Sequence, residues 1–66
     1  MGQGQVYEVI ETLRAETFHD GVTAEEIMVE SGFGKASLYR NLRDLIKNKR
    51  IQAAGIPTKF WIRNTT

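Results

Sequence analysis

The apolar residues of this chain change period once, near residue 50, and no other feature constrains the fold as much. Val6, Val9, Ile10 and Leu13 recur at i, i+3, i+4 and i+7. That spacing is one stripe of an amphipathic helix, with Glu8, Glu11 and Arg14 outside it. Leu38, Leu42, Leu45 and Ile46 mark a second stripe of the same kind. Beyond Arg50 the period is two: Ile51 and Ala53 alternate with Gln52 and Ala54, and after "GIPT", Phe60 and Ile62 alternate with Trp61 and Arg63. Two alternating runs around a turn read as a hairpin. Pro57 belongs in its turn, because proline has no N–H to give to a ladder.

The punctuation between these runs sets the element boundaries. A first helix is expected near residues 4 to 17, with Phe18 plugging the core as the chain leaves it and "HDG" at 19–21 making a turn. Val22 fits a very short strand. "TAEE" then has the form of a capping box, Thr23 capping the next helix and Glu26 reaching back three residues later. That helix should run from about 24 to 31 and bury Ile27 and Met28. In "SGFG", Gly32 suits the left-handed residue that ends a helix, and Phe33 can turn inward. A third helix begins at Lys35 or Ala36. The order is helix, helix, turn, helix, hairpin, with no repeat, low-complexity tract or linker apart from frayed ends.

Sixty-six residues make one domain, 1–66, and a chain so short buries only about 60% of the surface its unfolded form exposes. At 41% hydrophobic it is too apolar for a disordered tail, and it has no long uncharged run to span a bilayer. There is no cysteine, and His19 is the single histidine. Disulfides and ordinary zinc sites are thereby excluded, and neither a metal nor a cofactor is expected. "MGQGQ" lacks the basic start and apolar run of a secretory signal, so the expected location is cytoplasmic.

The formal net charge is only +1, yet six of the nine Lys and Arg fall within residues 34–50, "GKASLYRNLRDLIKNKR". Up to Gly34, seven carboxylates face Arg14 alone, leaving −6; from Lys35 onward, eight cations face Asp44 alone, leaving +7. Such a division concerns partners and not fold. At about 100° per residue, Ala36, Arg40, Arg43 and Lys47 share the side of the third helix opposite its leucines, flanked by Ser37 and Asp44.

"TAEEIMVESGFGKASLYRNLRDLIKNKRI" resembles the signature of winged helix-turn-helix DNA-binding domains: a capped short helix, a tight turn, a helix of the type S-x-Y-R-x-L-x-x-L, a basic helix end and a first wing strand. The resemblance covers roughly residues 5 to 63. It implies an α+β, mainly α, fold: a three-helix helix-turn-helix core with a C-terminal two-stranded β-hairpin wing. It also implies binding of double-stranded DNA, with the third helix in the major groove and the wing near the backbone or minor groove. Carried over by position, Lys35, Ser37, Tyr39, Arg40 and Arg43 become groove-facing residues. Arg40 is the candidate for base reading, since a guanidinium can bind guanine O6 and N7 together. Asn41 could read adenine, but its helical angle lies away from Arg40. Lys47, Lys49, Arg50, Lys59 and Arg63 are phosphate candidates, which position without specifying. The "GIPT" turn has no Lys or Arg of its own, which argues against deep minor-groove reading.

Each feature has a duller explanation. A basic helix face is usually a solvated one. Tyr39 fits either the groove or a half-buried place beside Ile46. Trp61, on the face opposite Phe60 and Ile62, either covers the edge of the first helix, the favoured reading, or marks a dimer contact or a partner surface. His19 beside Asp20 lacks a nucleophile or oxyanion donor, so no enzyme is expected. The glycines of "GFG" lack the spacing of a phosphate loop.

The expected function is DNA binding without chemistry, as a small transcriptional regulator or the DNA-binding module of a larger protein. A homodimer and a longer parent chain are both open contexts, and no membrane partner is implied. The rival is a winged-helix protein-interaction module that never touches DNA and works through Glu25, Glu26 and Glu30.

Overall fold

A computed structural model describes residues 2–63 of the chain. It has three helices, α1 (Gly2–Thr12), α2 (Ala24–Ser31) and α3 (Lys35–Lys47), and three strands, β1 (Val22–Thr23), β2 (Ile51–Ala54) and β3 (Lys59–Ile62). The architecture is α+β. The strands form one antiparallel sheet in the order β1-β3-β2, so the C-terminal hairpin is two-thirds of a sheet and not an isolated ribbon. Val22 pairs with Phe60 and Thr23 with Lys59, while Ile51 pairs with Ile62 and Ala54 with Lys59. The ends expected to fray include residues 1 and 64–66, which lie outside the described residues.

Helix α1 stops well short of residue 17, because the chain closes it with a left-handed residue. Arg14 has φ +59°, its N–H donates to Glu11 O at 3.0 Å, and the Ala15 N–H reaches back to Ile10 O at 3.2 Å. This pair of bonds is the Schellman closure, usually built on glycine. Nothing in the apolar stripe announces it, since Arg14 is an ordinary helix former. Past the closure Ala15 is fully buried, and its carbonyl accepts the Ile62 N–H at 2.7 Å, tying the segment to the end of β3.

Helix α2 follows the expected boundaries. Glu26 N–H donates to Thr23 Oγ1 at 3.3 Å and Thr23 N–H donates to Glu26 Oε1 at 2.9 Å, the reciprocal pair of a capping box. Gly32, φ +76°, ends the helix with its N–H on Met28 O at 2.8 Å. Helix α3 closes as α1 does: Lys49 has φ +60°, with Lys49 N–H on Ile46 O and Arg50 N–H on Leu45 O.

The core gathers Val6 and Ile10 of α1, Ile27 of α2, and Leu38, Leu42 and Leu45 of α3, over Ile51, Phe60 and Ile62 of the sheet. Phe33 and Met28 pack against it half-buried. Three expectations about the core are corrected. Phe18 does not plug it: half exposed, its ring meets Trp61 edge-on at 5.5 Å between centroids, and Ala15 takes the core place. Ile46 is 40% exposed, because Leu38, Leu42 and Leu45 already fill the space between α3, α1 and the sheet. In β2 only Ile51 is buried, so the inward alternation expected of Ala53 ends where the hairpin outruns the core.

Trp61 alternates with Phe60 and Ile62 and so lies on the outer side of the sheet. The favoured expectation places it over the edge of α1. Half-buried against the core, Trp61 meets Phe18 edge-on, and its indole N–H donates to Gln52 Oε1 at 3.2 Å. Gly21 lets the 18–21 turn approach this sheet: a Cβ at that position would stand 2.9 Å from Lys59 Cβ.

Candidate nucleic-acid interface

Helix α3 divides cleanly between two environments. Leu38, Leu42 and Leu45 are at most 1% exposed, and three residues so spaced lock the rotation of the helix against the core. Ala36, Ser37, Arg40, Arg43 and Lys47 are consequently exposed, and Lys35 is exposed at the open start of the helix. The three cations Arg40, Arg43 and Lys47 fall at i, i+3 and i+7 of one outward face, about one helical turn between neighbours. Asn41 is half-buried on the flank.

The N-terminus of α3 is open to solvent. Gly34 precedes it without a side-chain hydrogen bond, and no acidic residue occupies the first turn. Lys35 stands there instead, where the helix dipole disfavours a cation. The first-turn N–H groups and Lys35 together form a positive end able to accept an anion. At the other end Lys47 sits in the last turn, where the dipole favours it.

Tyr39 occupies the edge of α3 that faces the hairpin. It is 44% exposed and lines a cleft of about 370 Å³ with Thr23, Ala24 and Glu25 at the start of α2, Pro57 and Thr58 of the turn, and Phe60. Beside this cleft the turn carries Ile56, fully exposed. The side-chain periods do not announce the cleft. Its walls come from three separate elements, and only the oddity of an isoleucine in a turn, next to Pro57, hints at it in the sequence.

The remaining cations do not all join α3. Lys49 is exposed in the closure of the helix. Arg50 is pinned elsewhere: its guanidinium carbon lies 4.4 Å above the centroid of the Tyr7 ring, on α1. Lys59 shares the outer side of the sheet with Trp61, and its Nζ stands 5.9 Å from the Phe18 ring centroid. Its register beside Phe60, which faces the core, turns it away from the side on which the helices pack. Arg63 is half-buried, with its N–H on Arg50 O at 3.0 Å. The basic surface thus consists of Lys35, Ser37, Tyr39, Arg40, Arg43 and Lys47, with Lys49 at its end; Lys59 is on another face.

No helix among the described residues is long and apolar enough to cross a membrane. Comparisons with protein-family models, with curated proteins and with solved structures returned no match.

Proposed function

We propose that this chain is a winged helix-turn-helix domain that binds double-stranded DNA, with α2 and α3 as the helix pair, α3 in the major groove and the β2–β3 hairpin as the wing. One observation carries the reading: the rotation of α3 is set by three buried leucines so that Arg40, Arg43 and Lys47 project together from its outer face. A major groove admits a helix, and aligned cations at one-turn spacing meet successive phosphates or base edges. Arg40 reads guanine, Arg43 and Lys47 hold phosphates, and Lys35 with the open α3 N-terminus takes a further phosphate. Tyr39 and the turn at Pro57 and Thr58 flank the strand that leaves the groove.

The mechanism is association without chemistry, suited to a small transcriptional regulator or to the DNA-binding module of a larger protein. Neutralising these three phosphates gives a salt slope of roughly −3 in log K against log salt.

The test is an amide chemical-shift titration of the labelled protein with a duplex at low and at higher salt. Salt-sensitive shifts along residues 35–49 and at the 55–58 turn are the expected result. Shifts absent at DNA excess, or scattered over the surface, would overturn it and leave the rival protein-interaction module.

A further inference from the structure

The acidic half of the molecule contains a second surface, to which α3 contributes nothing. Two shallow pockets adjoin between α1 and α2: one of about 340 Å³ lined by Leu13, Glu25, Glu26, Val29 and Glu30, the other of about 240 Å³ lined by Val9, Thr12, Leu13 and Glu30. They share Leu13 and Glu30, so they form one groove. Val29 is 83% exposed at its edge. On α2 the inward side is Ala24, Ile27 and Met28, and Val29 points nearly opposite, between Glu25 and Glu26. Neither core packing nor helix propensity accounts for it, since a β-branched residue is a mediocre choice for an exposed helix position.

We propose that this groove docks a basic amphipathic helix of a partner protein, its apolar side chains on Val29, Leu13 and Val9 and its Lys or Arg side chains on Glu25 and Glu30. The charge selects the occupant. Carboxylates around an apolar floor repel nucleic acid and favour a cationic partner, and a groove between two helices accepts a third with anchors at i, i+3 or i+4. Among the described residues no group of three or more His, Cys, Asp or Glu is placed to hold a metal ion. A second copy of this chain fits poorly. Its basic helix has Leu38, Leu42 and Leu45 buried in its own core and offers the groove no leucine. The proposal stands independently of DNA binding.

The test uses a labelled 18-residue helical peptide with Leu at i, i+4 and i+7 and Lys or Arg on the flanks, and a control with Glu in place of the cations. Saturable binding of the first peptide alone is expected, with amide shifts confined to residues 9–13 and 25–30. Val29→Ser should weaken it roughly tenfold by taking apolar surface out of the groove. Glu30→Gln, a change at an exposed position, should weaken it about two- to threefold. Melting curves check that both variants fold, and Arg40→Ala with Arg43→Ala should leave peptide binding unchanged. Three results would overturn the idea: no binding at millimolar peptide, binding indifferent to Val29→Ser with shifts at every carboxylate, or sedimentation showing a dimer of this chain that occupies the groove against the peptide.

Discussion

The guanidinium of Arg50 stacks 4.4 Å above the ring of Tyr7, joining the turn after α3 to the middle of α1. The pair spans 43 positions of sequence and holds the closure of α3 at the side of the first helix. It also diverts from the outer face of α3 a cation that the sequence alone groups with the others.

Stacking of this kind at a solvent-exposed site contributes about 0.5–1 kcal/mol. Arg50→Ala should therefore lower the melting temperature by a few degrees, at roughly 4–8 °C per kcal/mol for so small a domain. Tyr7→Leu should do the same, and the double variant should be destabilised by less than the sum. A double-mutant cycle by thermal melting reads the coupling directly; a coupling of zero would mean that the stack contributes nothing.

Arg40 and Arg43 carry the DNA proposal. Replacing both with Ala should cut affinity for a duplex by one to two orders of magnitude at low salt and make the salt slope shallower by about 1 unit, near 0.9 for the phosphate that Arg43 no longer neutralises. Lys59→Ala, on the outer side of the sheet, should change both quantities little. Fluorescence anisotropy across a salt series distinguishes the two, and equal effects for Lys59 and Arg40 would contradict the assigned face.

Glu25 borders both the groove and the cleft that holds Tyr39, so it stands on the margin of the basic face. Its carboxylate opposes an approaching phosphate, while its place in the first turn of α2 favours the helix. Glu25→Gln should strengthen DNA binding by roughly twofold, through one repulsion weakened by solvent and salt. The same change should cost about 0.3–1 kcal/mol of stability. Anisotropy and a urea titration on one preparation would show the opposed signs.

Arg14 holds a left-handed conformation with a β-carbon, at a cost of about 1 kcal/mol relative to glycine. Arg14→Gly should stabilise the domain by about 0.5 kcal/mol, after the extra backbone entropy glycine loses on folding. The urea midpoint should rise with an unchanged slope. A fall would show that the Arg14 side chain makes an interaction worth more than the strain.

Much of this molecule was legible in its residues because much of it is local. The capping box of Thr23 and Glu26, the glycine that ends α2, the leucine face of α3 and the hairpin around Pro57 all depend on neighbours within a few positions. Their spacing carries the information. The outward set of Arg40, Arg43 and Lys47 follows from the leucines in the same way, since the side of a helix that is not buried is determined once the buried side is known.

What depended on distant partners was not legible. The very short strand expected at Val22 is present as Val22–Thr23, but its partner, β3, could not be read from two residues. Phe18 lies on the outer side of the sheet because Ala15, drawn in by the Ile62 N–H, has the core place. Ile46 stays outside because three leucines already fill the space beneath α3. Arg50 and Lys59 leave the basic group for Tyr7 and Phe18, and the groove with Val29 exists only where α1 and α2 meet. Sequence alone determined which elements form and the leucine side of α3, through hydrogen bonds and side-chain periods that span a turn or less. Tertiary structure decided which apolar residues found room in a small core and which charges shared a surface, because both turn on distances between residues far apart in the chain.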